Sequence, residues 1–456
     1  MAPMPITDAM FLLTERREQP MHVGGLELFK LPPGADANWV QSMYEDMIHS
    51  TDVSTLFRRR PHRPPSSMGA WSWELDDDID LEHHIRHSAL PRPGRVRELL
   101  ALASRLHGTL LDRHRPLWEA HLIEGLQGKR FAVYTKIHHS LLDGVSALRL
   151  LENTLSSDPD DRNVGMPWST KPKRHDPAPS RGLASLLGVP RAAWKTTSEL
   201  AGLGPIAARA AFRSLTDQSS YLPSMAPKTM FNTPITGSRR YAAQSWPLDK
   251  IRAVAKASDT TINDVVLAMC SSALRKYLES LAALPDAPLV AMTPVSLRQA
   301  GAEVGGNAVG AILCNLATDV ADPAARLAAV HDSMEDGKRS LRSMSPAQVT
   351  IASAVTMLPM LFSTVAGVRR VASPPYNVVI SNIPGPTEPL YWNGAKLEGV
   401  YPLSIPMDGQ ALNITVTSYN GSMDFGLTGC RRTVPHLQRL LTYLDEGLTE
   451  LQVATN

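Results

Sequence analysis

The stretch RFAVYTKIHHSLLDG at residues 130–144 constrains this chain more than any other. Phe131, Val133, Thr135 and Ile137 alternate with Ala132, Tyr134 and Lys136, the period of a strand that turns one apolar face toward a core. His139 continues the parity of the apolar face and His138 that of the other, so the two imidazoles point opposite ways and only one can face a given pocket. Asp143 and Gly144 break the strand, and residues 145–151 continue as a helix with leucines at helical spacing. The expected result is one imidazole at a strand end, in a turn, aimed inward. A lone histidine on such a face is ordinarily a hydrogen-bonded core residue, so its meaning depends on the rest of the chain.

Residues 118–123 read as a second strand, separated from the first by a turn between Gly125 and Gly128. A hairpin there brings Trp118 to the sheet that carries His139. Earlier, residues 23–29 are strand-like, residues 39–48 form an amphipathic helix, and residues 95–112 carry leucines at helical spacing after Pro93-Gly94. Residues 156–181, rich in Pro, Asp, Lys and Arg, have the composition of a linker. Beyond them, residues 182–215 are helical in pattern, with Arg191, Lys195, Arg209 and Arg213 set against Glu199. That pair of helices is either a foot on an anionic membrane or lipid-droplet surface or a bridge between domains. The second half restarts near Arg239, with helices from 248 and 261 and over 323–334. Its strands are expected over 289–295, 308–316, 377–381, 399–402, 412–419 and 423–429.

At 456 residues the chain exceeds one ordinary core, and two domains are expected. A net charge of +2 supplies no general attraction to nucleic acid or membrane. Cys270, Cys314 and Cys430 are far apart in apolar sequence and read as reduced core thiols of a cytoplasmic protein. The apolar run Met10-Phe11-Leu12-Leu13 is too short for a secretory signal. Residues 343–368 lack charge, but Gln348, Thr350, Pro359 and neighbouring hydroxyls favour a buried or interfacial helix pair over a membrane span.

His138, His139, Asp143 and Gly144 form His-His-x-x-x-Asp-Gly, which resembles the active-site signature of coenzyme A-dependent acyltransferases related to chloramphenicol acetyltransferase. Condensation domains of peptide synthetases share that motif. PMHVGG at 20–25, RPLWE at 115–119, Asn263-Asp264 and SNIPGP at 381–386 extend the match. Together and in this order they resemble the bacterial wax ester synthase/diacylglycerol acyltransferase family. The resemblance implies an α/β fold of two chloramphenicol acetyltransferase-like lobes, each of mixed sheet and helices, with the active site in a channel between them. The expected divisions are an N-terminal lobe over 1–157, a Pro-rich linker with basic amphipathic helices over 158–238, and a C-terminal lobe over 239–456.

It also implies an O-acyltransferase that uses acyl-CoA as donor substrate, with no tightly bound cofactor. The product is triacylglycerol from diacylglycerol, wax ester from a long-chain fatty alcohol, or both; an apolar pocket discriminates weakly among alkyl chains. The partners are acyl-CoA and a hydroxyl lipid, with no nucleic acid. The setting is cytoplasmic, with peripheral contact at the inner face of the membrane or at lipid bodies. Two rivals are a carrier-protein-dependent condensation enzyme and a catalytically silent lipid-binding homologue.

Within the resemblance His139 is the general base, since imidazole titrates near neutrality and can return a proton to a departing thiolate. Asp143 points away from the ring to hold the turn, with Arg298 as its expected partner. His138 packs or positions, and Gly144 serves a tight turn. Asn263 is either a donor to substrate or oxyanion or a helix-cap residue. Asn382 shapes the loop between the lobes or contacts substrate. Trp118 lines the acyl side or fills the core. Residues 144–148 lack the last glycine of a nucleophile elbow. His83, His84 and His87, near Asp80 and Glu82, read as a solvated run and not as a metal site.

Overall fold

A computed structural model describes residues 2–63, 70–169, 226–296, 309–344 and 374–455. In chain order, β1 (Ala2–Pro3), α1 (Ile6–Thr14), β2 (His22–Lys30), α2 (Trp39–Ile48), β3 (Arg59–His62) and β4 (Ser72–Leu75) lead to α3 (Leu81–His84) and β5 (Ile85–Ala89). Then come α4 (Val96–Leu106), β6 (Trp118–Leu126), β7 (Arg130–His138) and α5 (Gly144–Thr154). The second half contains β8 (Arg239–Pro247), α6 (Leu248–Ala257), α7 (Ile262–Glu279), β9 (Val290–Ser296), β10 (Val309–Asn315) and α8 (Pro323–Ser343). It closes with β11 (Val378–Ile383), β12 (Tyr391–Trp392), β13 (Ala395–Leu403), β14 (Leu412–Tyr419), β15 (Ser422–Cys430) and α9 (Arg439–Ala454).

Two six-stranded mixed sheets organise these elements: β12-β13-β2-β7-β6-β5 in the first lobe and β10-β9-β11-β14-β15-β8 in the second. The expected hairpin is β6–β7, and its turn uses Gly125 at φ +85° and Gly128 at φ +79°, backbone that a side chain resists. β7 differs from the expectation of one buried face. Phe131, Val133 and Ile137 join one core while Ala132 and Tyr134 join another beneath α4. Lys136 is buried too, because Glu119 of β6 meets its ammonium at 2.9 Å.

The first lobe is not built from residues 1–157 alone. β13 pairs antiparallel with β2, from Lys396 opposite Lys30 to Leu403 opposite Gly24, so the second half completes the first sheet. The expected linker also begins later than its composition suggests. Trp168 is buried and stacks on Trp118 at 5.2 Å, and its carbonyl accepts the Ser54 N–H at 2.8 Å. At the linker's far end Phe231 and Ile235 enter the second core. Scattered apolar residues among prolines and charges carry no period, yet each fills a core position. The basic segment 182–215 and residues 345–368 lie outside the described residues. Among those described, no helix is long and apolar enough to cross a membrane.

Candidate active site

The His-His turn is assembled by strand pairing. β2 lies against β7 with His22 opposite His138, so the PMHVGG segment borders the turn, and the Met21 carbonyl accepts the His139 N–H at 2.9 Å. The adjacent imidazoles have different partners. His138 is fully buried: its Nδ1 accepts the Ser140 N–H at 3.1 Å and meets Ser140 Oγ at 2.6 Å, which leaves the proton on Nε2. That Nε2 stands 3.4 Å from Glu15 Oε1. His139 as a residue keeps partial exposure. The Phe11 ring stacks on it, centroids 4.2 Å apart with 19° between planes.

Burial pushes the His139 imidazole below its ordinary 6.5; the Asp143 charge and a bond to the residue's own carbonyl oppose that only in part, and His138 reinforces it. The ring is therefore neutral at pH 7. Of the two ring nitrogens only Nδ1 can reach the residue's own main-chain oxygen; a proton held there would leave Nε2 as the basic nitrogen.

Asp143 forms the N-cap of α5, its Oδ1 accepting the Ser146 N–H at 2.7 Å. Among the described residues it makes no hydrogen bond to the His139 ring, and Arg298 lies outside them. Gly144 differs from the expectation of a tight-turn glycine. It is the first residue of α5, has no positive φ, and a Cβ there would lie 4.0 Å from Ile383 Cδ1. That spacing brings the start of α5 against the end of β11, so the turn faces the second lobe. There Asn382 Nδ2 donates to Asn263 Oδ1 at 3.3 Å, joining two motifs from opposite ends of the second half. Asp264, next in sequence, caps α7 in a box with Thr261 and accepts from His331 Nδ1 at 2.8 Å.

Trp118 stands apart from this junction, in the first core. Its indole N–H is donated to the Phe57 carbonyl at 2.8 Å, and His84 and Trp168 stack on the ring. No polar group of Trp118 is left for substrate. His83, His84 and His87 are not the solvated run expected of them. His84 is buried against Trp118, and burial holds its pKa down at about 4. His87 stacks on Tyr44. The three cysteines are buried and unpaired in the second core.

Sequence reasoning missed Phe11, Glu15 and Arg113. Glu15 follows α1, and its Oε2 accepts Arg113 Nε at 3.1 Å and Nη2 at 2.9 Å, while Oε1 accepts the Met21 N–H at 3.2 Å. Burial raises the Glu15 carboxyl, but His138, Met21 and Arg113 more than reverse this and keep it ionised. The available signal was an acid directly after an apolar run, which reads locally as an exposed helix end.

Residues 4–266 match the wax ester synthase/diacylglycerol acyltransferase catalytic domain and residues 305–452 the C-terminal domain of that family. The chain belongs to this acyltransferase family. It is 50% identical over 448 residues to the Mycobacterium tuberculosis protein named "Probable diacylglycerol O-acyltransferase", covering 98% of each chain. It is 42% identical to the O-acyltransferase WSD of Acinetobacter baylyi, covering 98% of this chain and 96% of that one. The wax ester synthase/diacylglycerol acyltransferase structure from Marinobacter aquaeolei VT8 superposes with a TM-score of 0.82 at 44% identity, over 100% of both chains. The first condensation domain of the calcium-dependent antibiotic synthetase shares the fold, with a TM-score of 0.59 at 16% identity over 100% of this chain and 96% of that one.

Proposed function

We propose that this acyltransferase moves a fatty acyl group from coenzyme A to a lipid hydroxyl, with His139 as general base. Diacylglycerol would yield triacylglycerol, and a long-chain alcohol would yield wax ester. What supports the reading is His139, a partly exposed residue whose imidazole burial holds below its ordinary pKa, in a turn packed against Ile383 of the second lobe. Nε2 takes the hydroxyl proton as oxygen attacks the thioester carbonyl; the C–O bond forms, the C–S bond breaks, and the proton passes to the departing thiolate. Asn382 engages the amide oxygen of Asn263, which leaves the Asn263 amide nitrogen without a partner among the described residues and able to donate to the carbonyl oxygen. Asp143 holds the turn by capping α5. Acyl-CoA and the hydroxyl lipid enter the channel between lobes from different sides, and the protein works peripherally at a membrane or lipid-body surface.

The test supplies purified protein with diacylglycerol or hexadecanol as acceptor and, separately, long-chain acyl-CoA or an acylated carrier protein as donor, followed by product separation. Ester from the wild type, reduced about 100-fold or more in His139→Ala, is the expected outcome. Product formed only with an acylated carrier as donor, or full activity in His139→Ala, refutes the reading.

A further inference from the structure

Phe11 reaches the site from the start of the chain, and its placement is fixed from several directions. Leu12, the next residue, is buried in the first core. Arg113 donates to the Leu12 carbonyl at 2.8 Å while holding Glu15. Glu15 in turn accepts the Met21 N–H, and the Met21 carbonyl accepts the N–H of His139, so one chain of contacts runs from the end of α1 to the imidazole's own backbone. The second lobe holds the same segment: Arg16 pairs with Asp408 at 2.9 Å, and the Asp408 N–H donates to Gln19 Oε1 at 2.8 Å. Phe11 itself is partly exposed, and its ring covers one face of His139.

An imidazole that can activate a lipid hydroxyl can equally activate water. Water attack forms a C–O bond to the acyl carbon and breaks the C–S bond; the proton removed from water passes through the imidazole to the thiolate, giving free fatty acid and coenzyme A. An enzyme with this base must therefore suppress hydrolysis by keeping water away from it. We propose that Phe11 is a positioning residue that fixes the plane of the His139 ring and shields one face from water, so that the acyl group passes to the lipid hydroxyl in preference to water. This rests on His139 being the base. The stacking distance, the near-parallel planes and the two-lobe anchorage of the segment that ends α1 support it.

The experiment measures partition. Full-length wild type, Phe11→Ala, Phe11→Leu and Phe11→Trp are given long-chain acyl-CoA with hexadecanol, and released coenzyme A, ester and free fatty acid are quantified together. Phe11→Ala is expected to raise the acid-to-ester ratio about fivefold or more, with Phe11→Trp, which restores a flat face, close to wild type. Acid and ester falling in proportion in Phe11→Ala, or an equal shift in Phe11→Trp, overturns the proposal. Should Phe11→Ala prove insoluble, Phe11→Leu decides: it keeps apolar volume without the flat ring, and an unchanged ratio there overturns the proposal as well. His139→Ala separates this from the underlying reading: if it still makes both products, His139 is not the base and that reading fails, whatever the Phe11 variants show.

Discussion

Glu27 offers a test of the seam between the lobes that is independent of catalysis. It lies on β2, opposite Val133 of β7 and Val400 of β13, and is buried. Its Oε2 has no hydrogen-bond partner among the described residues, and burial pushes the carboxyl from its ordinary 4.5 up to about 8. Between those two values the folded chain keeps a proton that the unfolded chain has released. Stability therefore falls as pH rises through this window, by at most about 1.4 kcal/mol per pH unit for one proton. From pH 5 to pH 8 the loss accumulates to about 3 kcal/mol. Glu27→Gln keeps the shape and removes the titration. Urea unfolding of both proteins at intervals from pH 5 to 8 should show the variant's advantage growing by about that amount. Asp424, which burial pushes to about 6, contributes a slope of the same sign, but it is present in both proteins and cancels. Parallel stability curves, or a wild-type advantage that grows with pH, would refute the reasoning.

Lys136 and Glu119 form a buried pair in which burial drives the carboxyl up while His121 and Lys136 hold it down at about 2. Lys136→Met should cost about 3–5 kcal/mol by urea unfolding, and Lys136→Met/Glu119→Leu should recover most of it. Asp143→Ala should cost about 1 kcal/mol as a lost cap, whereas Asp143→Asn, which caps equally well, should cost little; a loss of about 3 kcal/mol or more in Asp143→Asn would instead indicate the ion pair with Arg298. The same Asp143→Asn substitution removes a charge that raises the His139 pKa. The acid limb of its kcat/KM profile, already below pH 6.5 in the wild type, should move to lower pH; an unmoved limb would mean that His139 does not set it.

Local pattern carried the strands whose alternation survives in the fold. Residues 412–419 are β14 as expected, and residues 423–429 extend by one residue at each end into β15. The helix expected over 95–112 stops at Leu106, because His107 turns inward to bond Tyr134 Oη at 2.9 Å and the Ser404 carbonyl at 3.0 Å. Those partners are remote in sequence, so no local pattern could end the helix there. α9 was missed altogether, although Leu440, Leu444, Leu448 and Leu451 line one buried face. At the site, His138, His139, Asp143 and Gly144 were legible because they fall within seven residues of one motif. Asn263 and Asn382 were legible as words, though not as a pair. Glu15 and Arg113 were illegible, since a charge reads as solvated until its counter-charge is found, and that counter-charge lies 98 residues away.

The seam explains why a site at the junction of two lobes can be geometrically fixed. Without β13 the edge of β2 would expose its backbone groups. β13 fills that edge and simultaneously presses on the second sheet: the Val400 N–H donates to Asp424 Oδ2 at 2.8 Å, and a Cβ at Gly426 would meet the Pro402 carbonyl oxygen at 1.9 Å, so only glycine admits the approach. The phenol of Tyr241, on β8, adds a bond to the same carbonyl at 3.3 Å. Separating the lobes would thus require breaking a six-stranded sheet, in contrast to the few loop residues that bend at a domain hinge. The His139 turn and the Asn263–Asn382 pair sit on either side of a joint made of sheet, so under the proposed function substrate entry would fall to side chains and loops at the mouth of the junction, and the reacting geometry would not depend on lobe closure.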